Sequence, residues 1–165
     1  MAEKTKNKMV LSLPSEREIT LTRDFDAPQK LVYEVFTKEE HIRKWYAPSF
    51  VTLVSVQMES RVGGKYRYVL KNSEGVEVSF NGENLEMVPF SKVVYTEVFN
   101  MPGFSSPPST VTTTFTDLGG RTRVVTNSIY DSKQSRDAVV ESGMEGGASM
   151  SYDQAEALAI ELLTK

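Results

Sequence analysis

The chain reads as an α+β protein in which one curved antiparallel sheet wraps around a long C-terminal helix. Three observations predict this. Two short helical stretches follow the first strand and end at the only tryptophan, in Lys44-Trp45-Tyr46-Ala47-Pro48. A meander of alternating strands then runs from residue 51 to residue 130. Finally, Met144, Ala148, Ala155, Leu158, Ala159 and Leu162 recur three and four residues apart, the pattern of one amphipathic helix of about 20 residues. Strands joined by hairpins pair antiparallel. Such a sheet needs one face covered, and only the terminal helix is long enough to cover it. A sheet bent around a helix leaves room on its concave face for something apolar.

Residues 1–15 are polar and lysine-rich at their start, without a period, and read as a flexible arm preceding one domain over 16–165. From Glu16 the chain alternates, with Ile19, Leu21 and Arg23 on one side of a strand. Asp26-Ala27-Pro28 opens a helix, with Asp26 as candidate N-cap and Leu31, Val32, Val35 and Phe36 at helical spacing. A second short helix spans about 38–45, and Pro48 stops it. Strands follow at 51–59, 64–71 and 76–88; Asn72-Ser73-Glu74-Gly75 forms the turn between the last two. Gly82 inside the third of these marks a bulge or sharp bend. Residues 93–99 form the next strand, 101–108 a loop with exposed apolar tips, and 111–130 a hairpin turning at Asp117-Leu118-Gly119-Gly120. Asp131 or Ser132 caps a short helix that ends near Gly143.

Composition excludes several functions. The 165 residues suit one domain that buries roughly 70% of its unfolded-chain surface. The balance of 19 basic against 22 acidic residues, net charge −3, argues against a nucleic-acid surface. There is no cysteine, which removes disulfides, thiolate nucleophiles, iron–sulfur clusters and cysteine-ligated zinc. No apolar run reaches the roughly 18 residues of a membrane span, and Met9-Val10-Leu11 is too short for a signal-peptide core. A cytoplasmic location is expected.

Few residues offer catalytic chemistry. The single histidine, His41, sits among Lys38, Glu39, Glu40, Arg43 and Lys44 and reads as solvated. Alone it builds neither a triad nor a zinc site, so neither metal nor cofactor is expected. On the 76–88 strand, Asn84 and Glu86 share the two-residue parity of Phe80. Without a bulge they face the concave side, where Glu86 would titrate high unless Arg67 or Arg123 neutralised it. A bulge at Gly82 would instead turn Glu86 to solvent. Gly63-Gly64 and Gly119-Gly120 precede no helix N-terminus and cradle no phosphate. Gly146-Gly147 falls inside the last helix, where each glycine costs up to about 1 kcal/mol relative to alanine; close backbone approach or open volume explains it. The remaining signal is aromatic. Trp45, Tyr66, Tyr68, Phe80, Tyr95 and Phe115 can share a surface with Met144 and Ala148, and the tyrosine hydroxyls there would orient a guest. Plain core packing is the competing explanation.

Several ordered motifs carry a resemblance. Phe25-Asp26-Ala27-Pro28 ends the first strand, and Trp45 precedes Pro48. Arg61, Gly63, Gly64, Tyr66 and Arg67 form one strand signature, and Gly82, Glu86 and Pro89 another. Val111, Thr112 and Phe115 lead to Gly119, Gly120, Thr122 and Arg123; Gly143, Met144, Glu145 and Gly147 open the last helix. Over about 16–163 the chain resembles the helix-grip superfamily of START lipid-transfer domains, birch-pollen-allergen-like proteins and polyketide cyclases. Its closest likeness is to the branch named after the C-terminal domain of the activator of heat-shock protein 90 ATPase. The resemblance implies a cavity between sheet and helix, enlarged here because Ala148 stands where relatives often carry a bulky residue. It does not imply co-chaperone activity, since residues 1–15 cannot supply the chaperone-binding domain. Three functions follow as expectations. The first is non-catalytic binding of a small hydrophobic or aromatic molecule, with the short helices and the loop 100–108 gating entry. The second is a cyclase or hydrolase using Glu86, Asn84, Tyr66 and Tyr95. The third is association with a chaperone or with itself through the sheet surface, motivated by the exposed apolar loop Met101-Pro102-Gly103-Phe104.

Overall fold

The structure is a computed structural model, and it describes residues 7–165. Nine strands form one antiparallel sheet: β1 (Val10–Ser12), β2 (Glu18–Phe25), β3 (Thr52–Met58), β4 (Lys65–Lys71), β5 (Glu77–Val88), β6 (Lys92–Met101), β7 (Phe104–Ser105), β8 (Ser109–Asp117) and β9 (Thr122–Ile129). Their spatial order is β1-β2-β9-β8-β6-β5-β4-β3, with β7 paired to β6 beside this path. Helices α1 (Gln29–Thr37) and α2 (Glu39–Trp45) connect β2 to β3; α3 (Lys133–Glu141) and α4 (Met144–Leu163) end the chain. This is the helix-grip α+β fold predicted from the sequence.

The alternation in β2 is regular, with Ile19, Leu21, Arg23 and Phe25 all buried. Arg23 is held inside by α4: its guanidinium meets Asp153 at 2.6 Å and Glu156 at 3.3 Å. A buried cation persists only when so paired. The opposite flank of α4 ties down the α2–β3 connection. There the Gln154 amide donates to the carbonyls of Trp45 (2.7 Å) and Ala47 (2.8 Å), and the Ser151 hydroxyl donates to that of Tyr46 (2.8 Å). Hydrogen bonds on both flanks thus fix α4 across the concave face.

The sheet departs from the sequence reading in three places. Val10–Ser12 form an edge strand on β2 where the N-terminal arm was expected; residues 1–6 of that arm lie outside the described residues. The residue before a proline is driven extended, so α1 starts after Pro28, which is itself the N-cap position without a side-chain cap. Asp26 instead accepts from Arg121 Nε at 2.9 Å. The third departure is the bulge, which lies at Leu85 and not at Gly82. Asn84 pairs with Tyr95 and Glu86 with Val94, so two steps on β5 oppose one on β6. Gly82 serves close approach: a Cβ there would fall within 3 Å of the Thr96 carbonyl and of the Tyr66 ring. At the far end, Ser132 caps α3, accepting from Ser135 N at 3.0 Å.

Candidate functional site

A cavity of about 170 Å³ lies between α4, the two short helices and the concave face of the sheet. Each wall follows from local sequence. In α1 and α2 the helical repeat points Phe36, Ile42 and Trp45 inward. The Trp45 indole N–H is satisfied by the Val35 carbonyl at 2.8 Å, which leaves the ring as an apolar wall. Strand alternation brings Tyr66 and Tyr68 from β4, and Val93, Tyr95 and Glu97 from β6. The Leu85 bulge lets both Asn84 and Met87 face inward although they are three residues apart. Ala148, Ser151 and Tyr152 close the space from α4. The aromatic rings form a contiguous lining: Tyr46–Tyr68 centroids are 4.6 Å apart, Tyr66–Tyr68 4.9 Å and Tyr66–Tyr95 5.6 Å.

The polar groups in this lining are few. Tyr66 Oη donates to the Thr96 carbonyl at 2.8 Å and lies 3.5 Å from Glu97 Oε1. Tyr152 Oη and Thr126 Oγ1 are 2.8 Å apart. The Asn84 amide donates to the Glu59 carbonyl at 2.9 Å, and its backbone pairs with both Gly63 and Gly64, so it anchors the loop before β4. Glu97 is the one acidic side chain of the lining, which contains no lysine, arginine or histidine. Burial pushes its carboxyl up to about 7, against a smaller lowering effect of the Tyr66 hydroxyl. Burial first, and the Glu97 charge second, raise the Tyr46, Tyr66, Tyr68 and Tyr95 hydroxyls well above the ordinary phenol range. These hydroxyls are neutral donors at every physiological pH.

The sequence matches the family described as Activator of Hsp90 ATPase homolog 1-like protein over residues 26–159. The chain belongs to that family. Solved structures share the fold. Protein NE0264 from Nitrosomonas europaea superposes with a TM-score of 0.81 at 20% identity, covering 93% of this chain and 100% of its own. A protein from Rhodobacter sphaeroides gives 0.84 at 20% identity, with 96% and 99% covered. Protein CV1439 from Chromobacterium violaceum gives 0.72 at 26% identity, with 86% and 96% covered. No curated protein matches the sequence. The family and the helix-grip architecture are those of a ligand-binding fold.

Of the residues singled out from sequence, Trp45, Tyr66, Tyr68, Asn84, Tyr95 and Ala148 line the cavity. Four do not. Glu86 is turned to solvent by the Leu85 bulge, its side chain 48% exposed and paired with Lys92 at 3.0 Å. Neither expected cation approaches it: Arg67 binds Asn81 and Arg123 binds Asp24. Phe80 packs against Phe99 and Tyr46 outside the lining. Phe115 is core, edge-on to Tyr33 and Phe36. Met144 sits at the first turn of α4, beyond the cavity. The expected gate at 100–108 contributes no lining residue, whereas the α1–α2 side contributes Phe36, Thr37, Ile42, Trp45 and Tyr46. His41 is half-buried, and its Nδ1 lacks a partner among the described residues. Glu97 escaped the sequence reading, yet its signal was present: it follows Val93 and Tyr95 at strand spacing. An acidic residue continuing an inward apolar parity identifies a carboxyl inside the hollow.

Proposed function

We propose that the protein binds a small, largely apolar molecule of about one ring in the cavity between α4 and the sheet, without converting it. The observation that carries this reading is the ring-lined volume of about 170 Å³. An apolar cavity of about 150 Å³ is enough to hold benzene, whereas drug-sized ligands occupy about 300–1,000 Å³. One aromatic ring buries about 200 Å² and gains about 5 kcal/mol before ordering costs. Dissociation constants of about 0.2 mM or weaker follow. Native mass spectrometry and thermal shift against one-ring compounds test the reading. Saturable one-to-one binding by several of them is expected; a panel without a single hit defeats it.

A second reading, an acid–base enzyme of the cyclase or hydrolase kind, draws support from Glu97. A carboxyl titrating near neutrality beside phenolic donors suits proton transfer. Glu86 has no part in it. Replacing Glu97 by Gln would then abolish turnover of any substrate found, with the fold intact. Association with a chaperone or a second copy rests on Met101 and Phe104, 43% and 54% exposed at the β6–β7 turn. A protein that runs as a monomer and retains no chaperone in pull-down experiments counts against it.

A further inference from the structure

The cavity contains one feature that a purely apolar guest would leave unused. Glu97 projects into it from β6, and the only hydrogen-bond contact of its carboxylate among the described residues is the 3.5 Å approach of Tyr66 Oη. That hydroxyl spends its proton on the Thr96 carbonyl, at 2.8 Å. An ionised carboxylate offers about four acceptor sites, and here none has a close donor. The titratable groups that face it are Tyr66 and Tyr68 of β4, Tyr95 of its own strand, Tyr152 of α4, and Tyr46 and Tyr130 after α2 and β9. All are neutral phenols, and none is a cation. The arrangement is a carboxylate surrounded by aromatic rings.

Resting on the ring-binding reading above, we propose that the guest is a one-ring molecule bearing a protonated amine. Glu97 is its counter-ion, and the tyrosine rings are the faces against which the ammonium rests. Ring faces attract a cation within about 6 Å of their centroids, and the rings beside Glu97 lie 4.6 to 5.6 Å from one another, close enough to serve together. The guest supplies the donors that Glu97 lacks and the positive charge that burial of a carboxylate demands. An alkylammonium enters already protonated, Glu97 must be ionised to receive it, and the proton held by the free carboxyl leaves to solvent. Binding near neutral pH therefore releases a proton, and affinity rises as pH rises through about 7.

The test uses three probes of one shape: benzylamine, benzyl alcohol and benzoate. Calorimetry near pH 7, in two buffers of different ionisation enthalpy, counts protons. Benzylamine is expected to release a fraction of a proton, benzyl alcohol none, and benzoate is expected not to bind. At pH 8 benzylamine should bind roughly ten- to a hundredfold tighter than the alcohol, the range of a charge-assisted hydrogen bond. Glu97→Gln should erase that advantage while the alcohol still binds, which also shows that the variant folds. Benzyl alcohol binding as tightly as benzylamine, or benzylamine binding undiminished by Glu97→Gln, would overturn the amine assignment and leave the ring-binding reading standing. Failure of all three probes would overturn both.

Discussion

At the residue scale, the cavity contains one carboxyl, that of Glu97. Glu97 keeps its proton up to about pH 7 in the folded state, against 4.5 when exposed. Between those values the unfolded chain has released a proton that the native state still holds, so stability falls as pH rises. Its contribution is intact below about pH 4.5 and fully lost above about pH 7, a difference on the order of 3 kcal/mol. Urea unfolding of wild type and Glu97→Gln at pH 5 and pH 8 should therefore show the variant gaining stability relative to wild type at the higher pH. The comparison isolates Glu97. His41, whose burial lowers its pKa, changes stability in the opposite direction and does so equally in both proteins. Parallel pH profiles would contradict the inward, half-buried position of Glu97. This residue was legible in principle, because Val93, Tyr95 and Glu97 share one face of a strand. Glu86 was misplaced because parity counting assumes an uninterrupted ladder, and a bulge resets it.

At the element scale, β5 shows what sequence reveals of a strand and what it conceals. Its extent was readable from residues 76–88, and so was the exceptional status of Gly82. The kind of exception was not, because a glycine in a strand serves equally for a bulge or for close approach. Here the Thr96 carbonyl of β6 and the Tyr66 ring of β4 both press on Gly82. Gly82→Ala has no space for its methyl group and should cost about 1–3 kcal/mol, the range of an overpacked core. It should also displace Tyr66 from the cavity wall. Chemical denaturation gives the first quantity, and loss of probe binding reports the second. A variant as stable as wild type would show that β5 and β6 are not in such contact. The bulge at Leu85 had no comparable signature, since Asn-Leu-Glu contains neither glycine nor proline. The extended start of α1 was written in Ala27-Pro28, where the proline restriction outweighs the capping preference of Asp26.

At the scale of the whole molecule, the sequence conveyed the architecture because its signals repeat: alternation in strand after strand, then one long 3.6-residue period. The vacant volume is a different kind of property. It depends on which of many aromatic residues fill space and which surround it, and composition does not separate the two. Trp45, Tyr66 and Tyr68 line the hollow while Phe80 and Phe115, equally aromatic and equally in phase, pack as core. A small residue was the better guide: Ala148 lies on the cavity wall, whereas Gly146 faces solvent.

The account depends on that wall having vacant space in front of it. The most direct measurement is a titration of one-ring probes into wild type and Ala148→Phe, read by the emission of Trp45, the only tryptophan and itself part of the lining. Saturable changes in wild type that disappear in a variant with unaltered circular dichroism are the predicted result. Equal titration curves for the two proteins, or no saturation in wild type, would contradict it.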